Sequence, residues 1–447
     1  VTLGIVSLVL VVAVGAGVGL VLRGGGSGGD VTDDGVTDPN TVVVKDEEIA
    51  KLIEGHSRAL ASGDAKAFTS IFDQENAALV RGQARVFANL RKMPLAEKSY
   101  QKLGRQGRAE DSFGRGVKFT QDVAFVHRFD GIDLRPVAEW YRWTIEKASP
   151  NAPLVVTKVA GAPPPISGEA SKTVYYPGPW DIWPDIEVVK AGSSLVLARP
   201  QDAALARRVA PIVSAAATRN FAFWRKNGDQ NAAVPSGFVV ALVEGQAQLG
   251  KLFRTAKAEE AGVSIPMPSW QVGDDTVKVG GTRIVMDTTT EFFDNTQGIA
   301  DISEHELAHS LIAGLDSAGF SFLGRAKWIT EGFAEYMAGR DRPVTDDRRL
   351  PEGRAYLEGR LAMPFGGTLP DNVQWDYKGM TSTYYFMGHL AMRYIAEKYG
   401  ERKLVEGVVA AYRASGDDSE AALFQVLGVT KANFERQWTA YVRARLA

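Results

Sequence analysis

Between residues 46 and 62 apolar side chains recur every three to four positions, at Ile49, Leu52, Ile53 and Leu60, with His56 on the same stripe; this spacing predicts an amphipathic helix. Gly63-Asp64 breaks it, Ala67 to Asp73 starts another, and Arg81 to Arg91 reads as a third. The pattern then changes. Residues 116–129, 137–146, 153–160 and 186–198 alternate or are rich in β-branched and aromatic side chains, as strands are. A few helices followed by a curled antiparallel sheet make residues 46–200 an α+β domain. A second domain follows over 201–447. In it, 202–225 reads as helix and 235–243 and 280–287 as strands. From Gly298 the chain is mainly helical, with a loop-rich stretch at 340–375 and closing helices near 382–399, 401–414, 418–427 and 431–446. No repeat of 20–50 residues is present.

The start of the chain has a different pattern. Residues 1–22 contain no charged side chain and no proline, and Arg23 follows. About 20 apolar residues span a bilayer as a helix, so this segment is expected to be a transmembrane anchor. A cleaved signal peptide, with Val14 and Ala16 at its small positions, is the rival reading. Gly15 and Gly19 have a spacing compatible with helix pairing. Residues 23–45 are rich in glycine and aspartate and read as a flexible linker. The expected location is the cell membrane, with a single pass and the bulk of the chain extracytoplasmic.

Composition narrows the function. With 51 Lys and Arg against 53 Asp and Glu, the formal charge is −2. Without a basic field, nucleic acid is not an expected partner. The chain has no cysteine, which excludes disulfides, cysteine–zinc sites, iron–sulfur clusters and a cysteine nucleophile. Any site built on histidine must draw on only five: His56, His127, His305, His309 and His389.

Two of these five stand in His-Glu-Leu-Ala-His, residues 305–309. The surrounding sequence suits a helix that Asp301 caps, with Glu304 three residues on and Gly314 at its end. One turn apart on one helical face, His305 and His309 can bind a single zinc ion. Glu306, beside the first, reaches the side where a metal-bound water would sit. Zinc needs a third protein ligand and an open position. Glu331, in KWITEGFAEYMAG (327–339), is the candidate, and 21 intervening residues allow a turn and an antiparallel return. Glu335, four residues further on the same face, is either a surface glutamate or the acceptor for the free ring N–H of a ligand histidine. His56 and His127 lie outside any ligand spacing and read as ordinary helix and strand residues.

The phrase His-Glu-x-x-His followed by Trp-x-x-Glu-Gly-Phe-Ala resembles the gluzincin metallopeptidases, and the closing segment ALFQVLGVTKANFERQWTAYVRARL is similar to their last helices. The resemblance implies zinc held by His305, His309 and Glu331, with Glu306 as general base. It also implies a small mixed sheet against the active-site helix, then a helical lobe. Similar proteins steady the oxyanion with a tyrosine or histidine from that lobe. Here Tyr385, three residues before Gly388, is preferred over Tyr384, and His389 is either a weaker candidate or a structural histidine. The Gly-x-Met-Glu-Asn phrase of the aminopeptidase branch is missing; the strand taken as its counterpart ends in Val285-Met286-Asp287. An endopeptidase acting on peptides or proteins is therefore expected, with Asp287 the one nearby carboxylate able to substitute.

The opening phrase GHSRALASGDAKAFTSIFD resembles nuclear-transport-factor-2-like (SnoaL-like) domains, some of which bind ligands while others support a neighbour. The aromatic cluster at 173–184 is read as packing between the two domains or as a binding ledge. The alternative function is a catalytically inactive zincin fold that serves as a binding or scaffold protein.

Overall fold

The computed structural model describes residues 41–104, 109–111, 116–162, 175–254, 260–270, 278–315, 325–375, 377, 379–414 and 416–447. The first part runs β1 (Val42–Val44), α1 (Asp46–Ser62), α2 (Ala65–Thr69), α3 (Ala77–Lys92), β2 (Leu95–Lys102), β3 (Ala109–Asp111), β4 (Val117–Phe129), β5 (Val137–Lys147) and β6 (Val155–Gly161). α1 stops where Gly63 turns left-handed at φ 80°, a conformation glycine adopts without strain. β2, β4, β5 and β6 form an antiparallel sheet in that order.

After the short α4 (Pro179–Ile182) come β7 (Glu187–Ala191), β8 (Ser194–Ala198), α5 (Ala203–Asn227), β9 (Phe238–Val243), the short α6 (Gln246–Leu249), β10 (Gly262–Pro268) and β11 (Val279–Asp287). Their five strands make one sheet, ordered β10–β11–β9–β8–β7, with β8–β9 and β9–β11 parallel and the outer pairs antiparallel. The helical lobe then runs α7 (Thr296–Ala313), α8 (Lys327–Gly339), α9 (Leu350–Leu357), α10 (Asn372–Trp375), α11 (Thr381–Tyr399), α12 (Glu401–Arg413), α13 (Ser419–Leu427) and α14 (Lys431–Leu446).

The five-stranded sheet is covered on both faces. Phe238, Val240, Leu242, Ile284 and Met286 belong to the core of the helical lobe. Val239, Ala241, Val243 and Val285 belong to the core of the first part. Burial on both faces is why FVVALV is apolar without alternation. Arg283 on β11 ties the two sheets together: its Nη1 and Nη2 donate to the two oxygens of Asp133 at 2.7 and 2.9 Å. Gly281 makes room, since a Cβ there would lie 2.0 Å from Asp133 Oδ1. The aromatic cluster serves packing: Trp180 is fully buried, with its ring within 6.4 Å of those of Phe125, His127, Phe129 and Phe253.

The expected class, α+β with an N-terminal transmembrane helix, is corrected. The chain is mixed α/β: β7 and β8, assigned from sequence to the first domain's curled sheet, join the second sheet, β8 pairing in parallel with β9. A boundary at residue 200 therefore cuts through one sheet. A short apolar strand such as SLVLA pairs equally well with many neighbours, and only packing selects one. Among the described residues no helix is long and apolar enough to cross a membrane; the anchor expected at 1–22 and most of the linker at 23–45 lie outside them. β2 and β10 had no strand signal, β2 because EKSYQK is polar, β10 because Pro266 and Pro268 interrupt it. Proline is tolerated there because β10 is an edge strand.

Within the first part, His56 is buried among aromatic rings, 3.9 Å from Phe68 and 4.6 Å from Tyr100 between centroids, with Nδ1 donating to the Phe68 carbonyl at 3.1 Å. Burial pushes its pKa down to about 3, against the weaker pull of that carbonyl. In the unfolded chain the same residue takes up a proton below about pH 6.5, so stability falls as pH drops from about 6.5 towards 3. From pH 7 to pH 5 this one residue should cost about 2 kcal/mol. Urea midpoints at both pH values should show a shallower loss in His56→Gln, which keeps a donor for Phe68 and cannot titrate. An equal loss in the variant would show that the histidine is not held neutral.

Candidate metal centre

α7 begins with Asn295 as its cap, the side chain accepting from Gly298 N–H at 2.9 Å. The cap expected at Asp301 is thus corrected: Asp301 lies inside the helix and pairs with Arg342 at 2.8 Å. Every residue from Ile302 to Ala313 is buried, because α7 lies between the second sheet, α5 and α8. Burial on all sides also explains the partners of Glu304, which pairs with Arg219 and Arg340.

The three expected ligands converge. His309 Nε2 lies 3.2 Å from His305 Nε2 and 3.2 Å from Glu331 Oε2, and His305 Nε2 lies 3.5 Å from the same oxygen. All three residues are buried. Ligand atoms held at 2.0–2.1 Å around a tetrahedral zinc are about 3.3 Å apart, so the triangle has the size a zinc ion requires. Charge points the same way. Burial alone would lower the pKa of His305, yet Glu331 and Glu335 override it and push it up to about 10. Burial would raise Glu331, yet His309 and His305 draw it down to about 2. The buried carboxylates of Glu331 and Glu335 thus favour positive charge at this cluster.

The neighbouring side chains are placed by close helix and strand contacts. Glu306 is fully buried and packs on β10, where a Cβ on Gly262 would meet its Cγ and Oε1 at 3.0 Å. One turn on, Ser310 Oγ and Ser264 Oγ are 2.7 Å apart, so α7 lies along β10. Glu335 Oε1 is 3.2 Å from His305 Nδ1. α8 and α11 touch backbone to backbone: a Cβ on Gly332 would lie 2.7 Å from the Gly388 carbonyl oxygen. That approach carries Tyr385 in beside the ligands, its ring centroid 6.1 Å from that of His305. Tyr384 points elsewhere, 6.0 Å from the Tyr356 ring. His389 turns away from the ligands, Nδ1 3.3 Å from Asp347 Oδ2 and its ring against Gly339.

His56 and His127 lie in the first part, away from the site. His127 Nε2 lies 3.2 Å from Arg283 Nη2 between the two sheets. β10 is the edge strand of the second sheet, and α7 packs on both β10 and β11, the strand read at 280–287. Asp287 has a structural role there: its Oδ1 accepts from Gly245 N–H, Thr289 N–H and Thr289 Oγ1 at 2.8, 2.9 and 2.7 Å. Sequence reasoning missed Arg349 and Asp347, which lie behind Glu335. No spacing rule links residues 335, 347 and 349 across a loop, so no local signal could have found them. No protein-family model matches this chain, and no curated protein matches it.

Proposed function

We propose that this chain is a zinc-dependent peptidase of the gluzincin type that cleaves inside peptides or proteins. The observation that carries this reading is the buried triangle of His305, His309 and Glu331, with edges of 3.2–3.5 Å, beside a fourth residue, Glu306, that is not needed as a ligand. Those three residues would hold the zinc. When bound, the metal supplies a Lewis acid that polarises a carbonyl and makes water acidic near neutral pH. Glu306 takes the proton of the attacking water and returns it to the leaving amine. The Tyr385 hydroxyl donates to the oxyanion; loss of one such donor typically costs about 2.7–4 kcal/mol of barrier. Gly262 leaves space for the Glu306 carboxylate at the edge strand.

Interior cleavage is favoured because the Asp287 carboxylate is engaged by Gly245 and Thr289. An aminopeptidase must instead pair the substrate's α-ammonium with carboxylates near the metal. A series of peptides with free and N-acetylated ends tests this. Both forms should be cut at the same interior bonds, and a zinc chelator should stop the reaction. Release of single residues from free amino termini alone would overturn the endopeptidase reading. Undiminished cleavage by zinc-free protein would overturn the zinc reading.

A further inference from the structure

Behind His305 a buried chain of charged groups crosses three helices. Glu335, on α8, faces a side chain at each carboxylate oxygen: Oε1 lies 3.2 Å from His305 Nδ1, and Oε2 accepts from Arg349 Nη2. Arg349, immediately before α9, turns the rest of its fork to Asp347, with Nε 3.1 Å from Oδ1 and Nη2 3.3 Å from Oδ2. Asp347 Oδ2 in turn lies 3.3 Å from Nδ1 of His389 on α11. Glu335, Arg349 and His389 are 4%, 9% and 3% exposed. Its sequence neighbour Arg348 pairs with Glu291 at the surface, and Arg342 pairs with Asp301; of the arginines in this segment, Arg349 is the one that reaches the carboxylate beside the metal ligands.

Burying a guanidinium is costly unless its charge and its hydrogen bonds are met. Here they are met by two carboxylates, one of which faces a ligand histidine. Held at Oε2 by Arg349, Glu335 keeps Oε1 3.2 Å from His305 Nδ1; a carboxylate at that distance favours the hydrogen on Nδ1 and leaves the Nε2 lone pair for the side of His309 and Glu331. The planar fork of arginine can span two carboxylates at once, which the point charge of lysine cannot.

We propose that Arg349 is a positioning residue for the metal site, acting through Glu335 on His305, with Asp347 and His389 fixing the far end of the chain on α11. The inference rests on the zinc-peptidase reading. It assigns a role in catalysis and metal retention to the loop-rich segment that otherwise only joins α8 to α11.

Zinc affinity of the purified full chain, measured by competition with a chromogenic chelator at fixed pH, tests it, with thermal melting as a separate readout of folding. Loss of a group that orients a ligand histidine typically weakens metal binding about 10–100-fold. Glu335→Gln should fall in that range and Arg349→Gln near its lower end, about 10-fold. The double variant should bind zinc no more weakly than Glu335→Gln alone, because Arg349 acts only through Glu335. Arg349→Lys should recover part of the loss. Peptidase kcat should follow zinc occupancy across the series. A folded Arg349→Gln protein with wild-type zinc affinity would overturn the proposal, and so would a double variant whose loss equals the product of the two single losses. If Arg349→Gln does not fold, Asp347→Asn carries the test with the same expected direction, and unchanged affinity there overturns the proposal. Wild-type chain that binds no zinc would remove the peptidase reading and this inference together. Wild-type binding with an insensitive Arg349→Gln would remove this inference alone.

Discussion

Glu306→Gln should purify with its full complement of zinc and cleave peptides about 10²–10⁴-fold more slowly. The side chain is fully buried against Gly262 on the edge strand, and it lies outside the triangle formed by His305, His309 and Glu331. Glutamine has the same shape, so neither the packing on β10 nor the ligand set should change. It cannot take a proton from water. A positioned general base contributes typically about 10²–10⁴-fold to a rate, so kcat/KM should fall by that factor while metal content stays at one per chain. Metal content by atomic absorption and turnover of a blocked peptide decide the matter. Full activity in the variant would remove Glu306 from the mechanism. Loss of zinc together with activity would show that Glu306 supports the metal instead.

The second large effect is expected from removing the imidazoles. A His305→Ala, His309→Ala double variant should retain no stoichiometric zinc, since one carboxylate cannot hold the ion alone. Stability should change in a way that separates metal loss from cavity formation. A ligand bound only by the folded state stabilises it by RT ln(1 + [L]/Kd), about 4 kcal/mol at a thousand times Kd. A chelator should therefore lower the melting temperature of the wild-type chain and leave that of the double variant unchanged. The variant also leaves Glu331 without the imidazoles that draw its carboxyl down, so its pKa should rise towards or above the ordinary carboxylate range. Equimolar zinc in the double variant, or an equal chelator response in both proteins, would contradict the metal assignment.

His305, Glu306 and His309 could be read from the chain alone because their geometry is local. Four residues make about one helical turn, so their relative placement needs nothing but a helix. Glu331 was legible for a related reason: a short connection brings a second helix back across the first, and Glu335 then falls on the same face. Most of the longer helices and strands were also readable, because apolar periodicity is set by how each element buries one side; α9 and α10 were not, and fall in the stretch read as loop-rich. Three kinds of feature were decided only by the tertiary structure. β7 and β8 joined the second sheet because a strand's partners are chosen by packing on both faces, which a five-residue apolar pattern does not encode. β10 took the edge of the second sheet, where Pro266 and Pro268 are tolerated, a position in space rather than in sequence. Arg349, Asp347 and His389 come together with Glu335 because the Gly332–Gly388 contact lets α8 and α11 approach and the intervening loop folds back over them. Charge pairs formed across such a distance depend on where whole elements dock, and no residue spacing carries that information.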